Sequence, residues 1–286
     1  MSETPELRVE REIAITVPET FRQAVDVVRQ RKLRGLAVRE DWRDLQKDAP
    51  SCDLSLLATH VPDIQSFAIA PGIKASRLLH VESLYALSDL RDLSIHNYKT
   101  LDLARFPQLE LLAVRDSAGL VGLDGLQSLR KLHMWGLRKA DFSELNLRQL
   151  ESARIIQAAS AVTGLEGLDA LVALRHLEIH NSRALTKIGR LPTKLAILKI
   201  DSCSRLTDLS FLSDNPSIDF LFATSIDSLR FLPSMRVISK LAFEAVGDGD
   251  LSPILRTKTL RSVFFPNKKK HSHKQEELQR VLDQRE

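Results

Sequence analysis

The chain has little of what marks secreted, membrane or catalytic proteins. Its 286 residues include two cysteines, Cys52 and Cys203. That number forms no disulfide framework, and their separation matches no metal-ligand spacing. Free thiols in a reducing compartment are expected. Aromatic residues make up 5% of the chain, so a core must come from Leu, Ile and Val. No apolar run approaches the roughly 18 residues of a membrane helix, and the first eight residues lack the apolar stretch of a secretory leader. A soluble, cytoplasmic, monomeric protein with no membrane span is the expectation. Glycine-rich phosphate loops, Gly-x-Ser-x-Gly elbows and His-Glu-x-x-His helices are missing. The chain is therefore not expected to be an enzyme, and no cofactor or metal is expected. Charge is nearly balanced: 41 basic against 37 acidic residues, net +4. That excess is too small to demand a nucleic acid.

What is present is a repeat. The phrase apolar-x-x-apolar-x-apolar recurs as Leu90-Leu93-Ile95, Leu109-Leu112-Val114, Leu129-Leu132-Met134, Leu174-Leu177-Ile179 and Leu195-Leu198-Ile200. Its second apolar position runs Leu36, Phe67, Leu93, Leu112, Leu132, Ala153, Leu177, Leu198, Leu221, Leu241, Val263, and after two longer steps the spacing settles near twenty residues. A fixed period of this size marks units that bury their apolar faces only against neighbours. Each phrase predicts a short strand with its three apolar residues inward and the residues between them outward.

The segment Leu195-Ala-Ile-Leu198-Lys-Ile200-Asp-Ser-Cys203-Ser-Arg-Leu206 resembles leucine-rich repeat proteins, in their cysteine-containing variants. Gly122-Leu-Asp-Gly-Leu126 and Gly164-Leu-Glu-Gly-Leu168 resemble the convex turns of internalin-like members. The resemblance implies an α/β solenoid, a horseshoe with parallel strands on its concave face and short helices or turns on its convex face. It also implies binding to another macromolecule. The chain divides accordingly into an N-terminal cap (1–32, a strand over Leu7–Thr16 and an amphipathic helix over Pro18–Lys32), an array of about eleven units (33–267), and a basic linker with a C-terminal helix (268–286). The family's asparagine ladder is absent: Tyr98, Ser117, Leu137, Ala158, Ser182, Cys203 and Ile226 occupy its positions. Irregular turns are expected between Leu137 and Ile226.

The outward residues form columns one strand spacing, about 4.8 Å, apart. Large side chains gather at Arg115, His133, Trp135, Arg154, Ile156, His180, Lys199, Phe220 and Phe222. These are the candidate partner-binding residues, because exposed Trp and Arg most often dominate interfaces. Arg154, Glu178 and Lys199, on adjacent rungs with alternating sign, also read as an internal ion-pair ladder of small net worth. His176-x-Glu178-x-His180 places its histidines roughly 13 Å apart along a strand, too far to share one ion. The run Asn267–Lys274 reads as a solvated linker. The function expected is a non-enzymatic adaptor or regulatory subunit that binds a protein partner with an acidic surface. The alternatives are an immunity or inhibitor protein that neutralises an enzyme or toxin, and a nucleic-acid-associated protein using the basic tail.

Overall fold

The computed structural model describes residues 7–40 and 50–285. Residues 1–6, on which the reading of a missing leader rests, lie outside the described residues, as do residues 41–49 in the long first step of the repeat. The chain divides into two compact units, Met1–Leu132 and His133–Glu286. Each is mostly parallel sheet with few helices. Among the described residues, no helix is long and apolar enough to cross a membrane.

The first unit contains β1 (Arg8–Glu10), β2 (Ile13–Thr16), β3 (Gly35–Val38), β4 (Cys52–Asp53), β5 (Ser66–Ile69), β6 (Leu78–Leu79), β7 (Asp92–Ile95), β8 (Leu101–Asp102), β9 (Leu111–Arg115) and β10 (Leu120–Val121). Strands β2, β3, β5, β7 and β9 pair in parallel, aligning Ala14, Leu36, Phe67, Leu93 and Leu112 in one buried row. From Leu36 onward this is the row that the twenty-residue spacing marks out. Burial of each leucine there stabilises by about 1.5–3 kcal/mol. The single N-terminal strand expected over Leu7–Thr16 is instead a hairpin. Arg11 and Glu12 both take positive φ, which closes a two-residue turn and sets β1 antiparallel to β2. The first helix, α1 (Phe21–Arg31), buries Phe21, Ala24, Val25 and Val28 at helical spacing. A second, α2 (Ser55–His60), follows β4.

Strand β11 (Lys131–Trp135) carries the division between the units. The second unit continues with β12 (Ser152–Ile156), β13 (Gly164–Leu165), β14 (His176–His180), β15 (Lys187–Ile188), β16 (Ile197–Asp201), β17 (Phe220–Ile226), β18 (Lys240–Val246) and β19 (Ser262–Phe264). Here Ala153, Leu177, Leu198, Leu221, Leu241 and Val263 align in one row. After β18 comes α3 (Ser252–Arg256), and α4 (Gln275–Asp283) follows β19. Helix α4 covers the edge of β19 with side-chain amides. Gln279 Oε1 accepts from Val263 N–H at 3.0 Å, while Gln275 and Gln279 Nε2 donate to the Val263 and Arg261 carbonyls, each at 3.0 Å. Open edge groups that would template another strand are thereby satisfied.

The return segments follow a rule of their own. Asp53, Asp102, Asp141, Asp208 and Asp250 each accept from the backbone N–H two residues on, at 2.8–3.1 Å. Each stands in an Asp-Leu/Phe-Ser/Ala triplet whose middle residue is buried. The aspartate replaces the backbone partner that a tight turn leaves missing. Two of these turns are each followed, one repeat later, by a glycine with positive φ: Gly122 after Asp102 and Gly167 after Asp141. A Cβ on Gly122 would lie 2.8 Å from Asp102 Oδ1, and one on Gly167 2.2 Å from Ser143 N. The structural equivalents are thus Gly122 and Gly167, both preceding a 3-10 turn, rather than Gly122 and Gly164.

The missing asparagine ladder is replaced piecemeal. Tyr98 donates its hydroxyl proton to the Arg115 carbonyl, and Ser182 Oγ accepts from Ala158 N–H at 3.2 Å. Cys203 Sγ lies 3.7 Å from the Ile179 carbonyl one turn back. In the second unit the strands also end by a shared device. Gly136, Gln157, Asn181 and Ser202 each take positive φ immediately after β11, β12, β14 and β16. Gly136, Gln157 and Asn181 each donate N–H to the last strand residue of the following turn, at 2.8–2.9 Å. Strand β17 departs from this pattern and runs on to Ile226, where Ile226 pairs with Val246 of β18. Irregularity is therefore real from Leu137 to the start of β12 but not at Ile226, where a buried isoleucine extends the sheet.

Candidate functional site

Outward residues of β12 to β19 make one surface within the second unit. Its centre is Glu178, whose side chain is only 4% exposed despite pointing to the open side of the sheet. The register explains why. Arg154, Glu178 and Lys199 are direct partners on β12, β14 and β16, and His176 and His180 flank Glu178 on its own strand face. Five side chains fill this patch, and the single carboxylate is roofed by four nitrogenous ones.

Arg154 Nε donates to Glu178 Oε2 at 2.5 Å and Lys199 Nζ donates to Oε1 at 2.8 Å. His180 Nε2 lies 3.1 Å from Oε2, and its Nδ1 3.3 Å from Asp201 Oδ2. His176 Nε2 is 2.9 Å from Oε1 but makes no aligned hydrogen bond. Burial by itself pushes the Glu178 carboxyl up. Hydrogen bonds from Lys199, Arg154 and His180, with the Arg154 charge, outweigh it and hold the group far below the usual carboxylate range. Asp201 is likewise lowered: burial opposes, but Thr224, Ser202 and His180 prevail. The expected ion-pair ladder of Arg154, Glu178 and Lys199 is present, but its central carboxylate is enclosed rather than exposed. The two histidines converge on one carboxylate through their ring tips, although their backbones are far apart. No group of three or more metal-binding side chains forms among the described residues.

Beside this hub the surface turns apolar. Ile197 of β16 pairs with Phe220 of β17, and Phe222 faces Lys199 on one side and Ala242 on the other. Ala242 in turn pairs with Phe264 of β19, which is 64% exposed. Ile197, Phe220 and Phe222 are half-buried, and Lys240 and Glu244 on β18 are exposed.

Of the residues singled out in the sequence, Arg154, His180 and Lys199 meet at Glu178, Ile156 is His180's register partner, and Phe220 and Phe222 share β17. His133 and Trp135 sit half-buried on β11, and both make contacts with other side chains or backbone. Arg115 ends β9 in the first unit and is exposed. Sequence reasoning missed Glu178, His176, Asp201, Ile197 and Phe264 as members of the site. The available signal was four basic or imidazole groups around one acid in adjacent columns, an arrangement that must enclose the acid.

Compared with known proteins, the chain matches no protein-family model and no curated protein sequence.

Proposed function

We propose that the chain is a non-enzymatic, protein-binding repeat scaffold of the leucine-rich type, an intracellular adaptor or regulatory subunit that docks its partner on the outward sheet surface of the second unit. In this reading the parallel strands form the inner wall of a horseshoe, with β1, β2, α1 and α4 as its caps. One observation carries it: Ile197, Phe220, Phe222, Ala242 and Phe264 lie at linked registers on the outward face of β16 to β19, next to a fixed charged hub. Exposed apolar surface gathered in this way is costly in a monomer and favours a partner. Interfaces draw their energy from such aromatic anchors within a polar rim. The rim here is Lys199, Lys240 and Glu244, and the preformed sheet loses little entropy on binding.

The full chain, immobilised and exposed to native cell extract, is expected to retain one protein in fixed ratio. Phe264→Ser should cut retention by about tenfold, the loss of one anchor of about 1–2 kcal/mol. Its thermal midpoint should stay near that of the unaltered chain, since the ring is mostly exposed. Val172→Ser, at an exposed apolar residue outside the strands, should change nothing. Equal retention by Phe264→Ser and the unaltered chain defeats the proposal.

A further inference from the structure

We propose that the cleft at the ends of β16 and β17 is a seat for a single carboxylate group. The cleft has an identifiable origin. Strand β16 turns away after Asp201 through left-handed Ser202, whereas β17 runs on through Thr224 and Ser225. Pairing between the two strands stops at Ile200–Ala223, and the diverging chains leave a cavity of about 240 Å³ between them. Arg183, Ile200, Ser202, Cys203, Ser204, Thr224 and Ser225 line it.

The donors lining this cavity divide into spent and unspent. The Thr224 and Ser202 hydroxyls both donate to Asp201 Oδ1, each at 2.9 Å. The Cys203 thiol points inward, with Asp201 O at 3.4 Å, and offers no nucleophile. By contrast, no hydrogen bond or ion pair joins the Arg183, Ser204 or Ser225 side chain to another described residue. The Arg183, Ser204 and Ser225 side chains therefore line the cleft without being committed to another protein group among the described residues.

Charge and size select the ligand. A guanidinium fork matches a planar carboxylate with two parallel hydrogen bonds. Asp201, held ionised beside the cleft, repels a second negative charge, so a monoanion suits the site better than a phosphate dianion. Ile200 and Cys203 supply apolar wall for a short alkyl stem. The volume lies below the roughly 300–1,000 Å³ of pockets that enclose whole drug-sized ligands. The occupant is thus a small acid or the last residue of a peptide chain. This inference does not rest on the docking surface, because a free acid can fill the cleft with no protein present.

The test is an NMR titration of the full chain with sodium propionate, propionamide, N-acetyl-dialanine and its C-terminal amide. Propionate and the free-acid dipeptide should shift the Ser204 and Ser225 amides and the Arg183 Nε–H saturably; the two amides should not. Arg183→Gln should weaken both acids by about tenfold or more, and Arg183→Lys should retain part of the affinity. Tighter binding of the dipeptide assigns the seat to a chain terminus, and tighter binding of propionate assigns it to a free acid. Saturable shifts that are absent, or unchanged in Arg183→Gln, overturn the proposal. So does inorganic phosphate binding more tightly than either acid.

Discussion

Each unit builds its inward row mainly from leucine, and the two differ in what they turn outward. In the first unit the central outward column is Ala37, Ala68, Ser94 and Ala113, small side chains at successive registers. In the second it is Arg154, Glu178, Lys199, Phe222, Ala242 and Phe264. The inward row sets the repeat, and the outward column differs between the units because its residues do not form the shared core. Chemistry has accumulated in the second unit, where outward groups are large enough to touch one another across strands. A sheet face of alanines offers a partner little area and no anchors. A face with a clamped charge beside four apolar side chains offers both.

The return turns test how alike the two scaffolds are. Gly122→Ala in the first unit and Gly167→Ala in the second each place a methyl group against an aspartate turn in a left-handed conformation. Each should cost about 2–4 kcal/mol, adding left-handed strain to overpacking. Gly125→Ala, where the nearest atoms are at an ordinary 3.5 Å, should cost nothing or stabilise slightly. Urea unfolding of the three variants checks this. A large difference between Gly122→Ala and Gly167→Ala would show that the two units do not turn by the same device.

The outward columns should separate the units more sharply. Glu178→Gln removes the one acid beneath four basic or imidazole groups. Breaking a fully buried pair costs about 3–5 kcal/mol, but Arg154 and Lys199 are 42% and 33% exposed, so about 2 kcal/mol is expected. Ser94→Ala, its counterpart in the first unit, should stay within about 0.5 kcal/mol. The pH dependence follows from the lowered carboxyl. Its contribution is complete above the ordinary value near 4.5 and is lost as pH falls through the folded value. The gap between the unaltered chain and Glu178→Gln should therefore be fully present at about pH 5, with the facing imidazoles adding to it as they gain charge, and narrow on further acidification. A gap that keeps widening below about pH 4 would mean that Glu178 is not held ionised.

Much of this was legible in the sequence, and the rest failed for physical reasons. The row Leu36 to Val263 was readable because a core position tolerates one class of side chain. Helix α1 was readable from Phe21, Ala24, Val25 and Val28. The hairpin over Arg8–Thr16 was not, since Arg11 and Glu12 adopt positive φ without a glycine to announce it. The aspartate turns were visible all along as Asp-Leu/Phe-Ser/Ala triplets, but they attract no notice until the backbone bond that each aspartate accepts is known. The pairing of Arg154 and Lys199 with Glu178 was readable from adjacent rungs, but its enclosure was not, for a deeper reason. Period-two reasoning says which way a side chain points and nothing about whether its neighbours then close over it. Arg154 and Trp135 were singled out as contact residues on that basis, Arg154 being read as a ladder rung as well. Arg154 is committed to Glu178, so substituting it would disturb the scaffold along with any partner.

The finest comparison is between two outward carboxylates with opposite shifts. Asp92, on β7 in the first unit, is half-buried, and burial together with the nearby Glu110 charge raises its carboxyl above the ordinary 3.8. Glu178 is more deeply covered and shifted the other way, so it is the ring of partners that decides the sign. An acid raised in the folded state carries a penalty above its folded value, and that penalty vanishes below its unfolded value. Asp92→Asn should accordingly gain a little stability at pH 7 and nothing at pH 3, whereas Glu178→Gln loses stability at pH 7. Denaturant midpoints of both variants at the two pH values decide the matter. A loss for Asp92→Asn at pH 7 would mean that the aspartate has a partner strong enough to offset its burial. The outward column of the first unit would then hold a charged contact of its own.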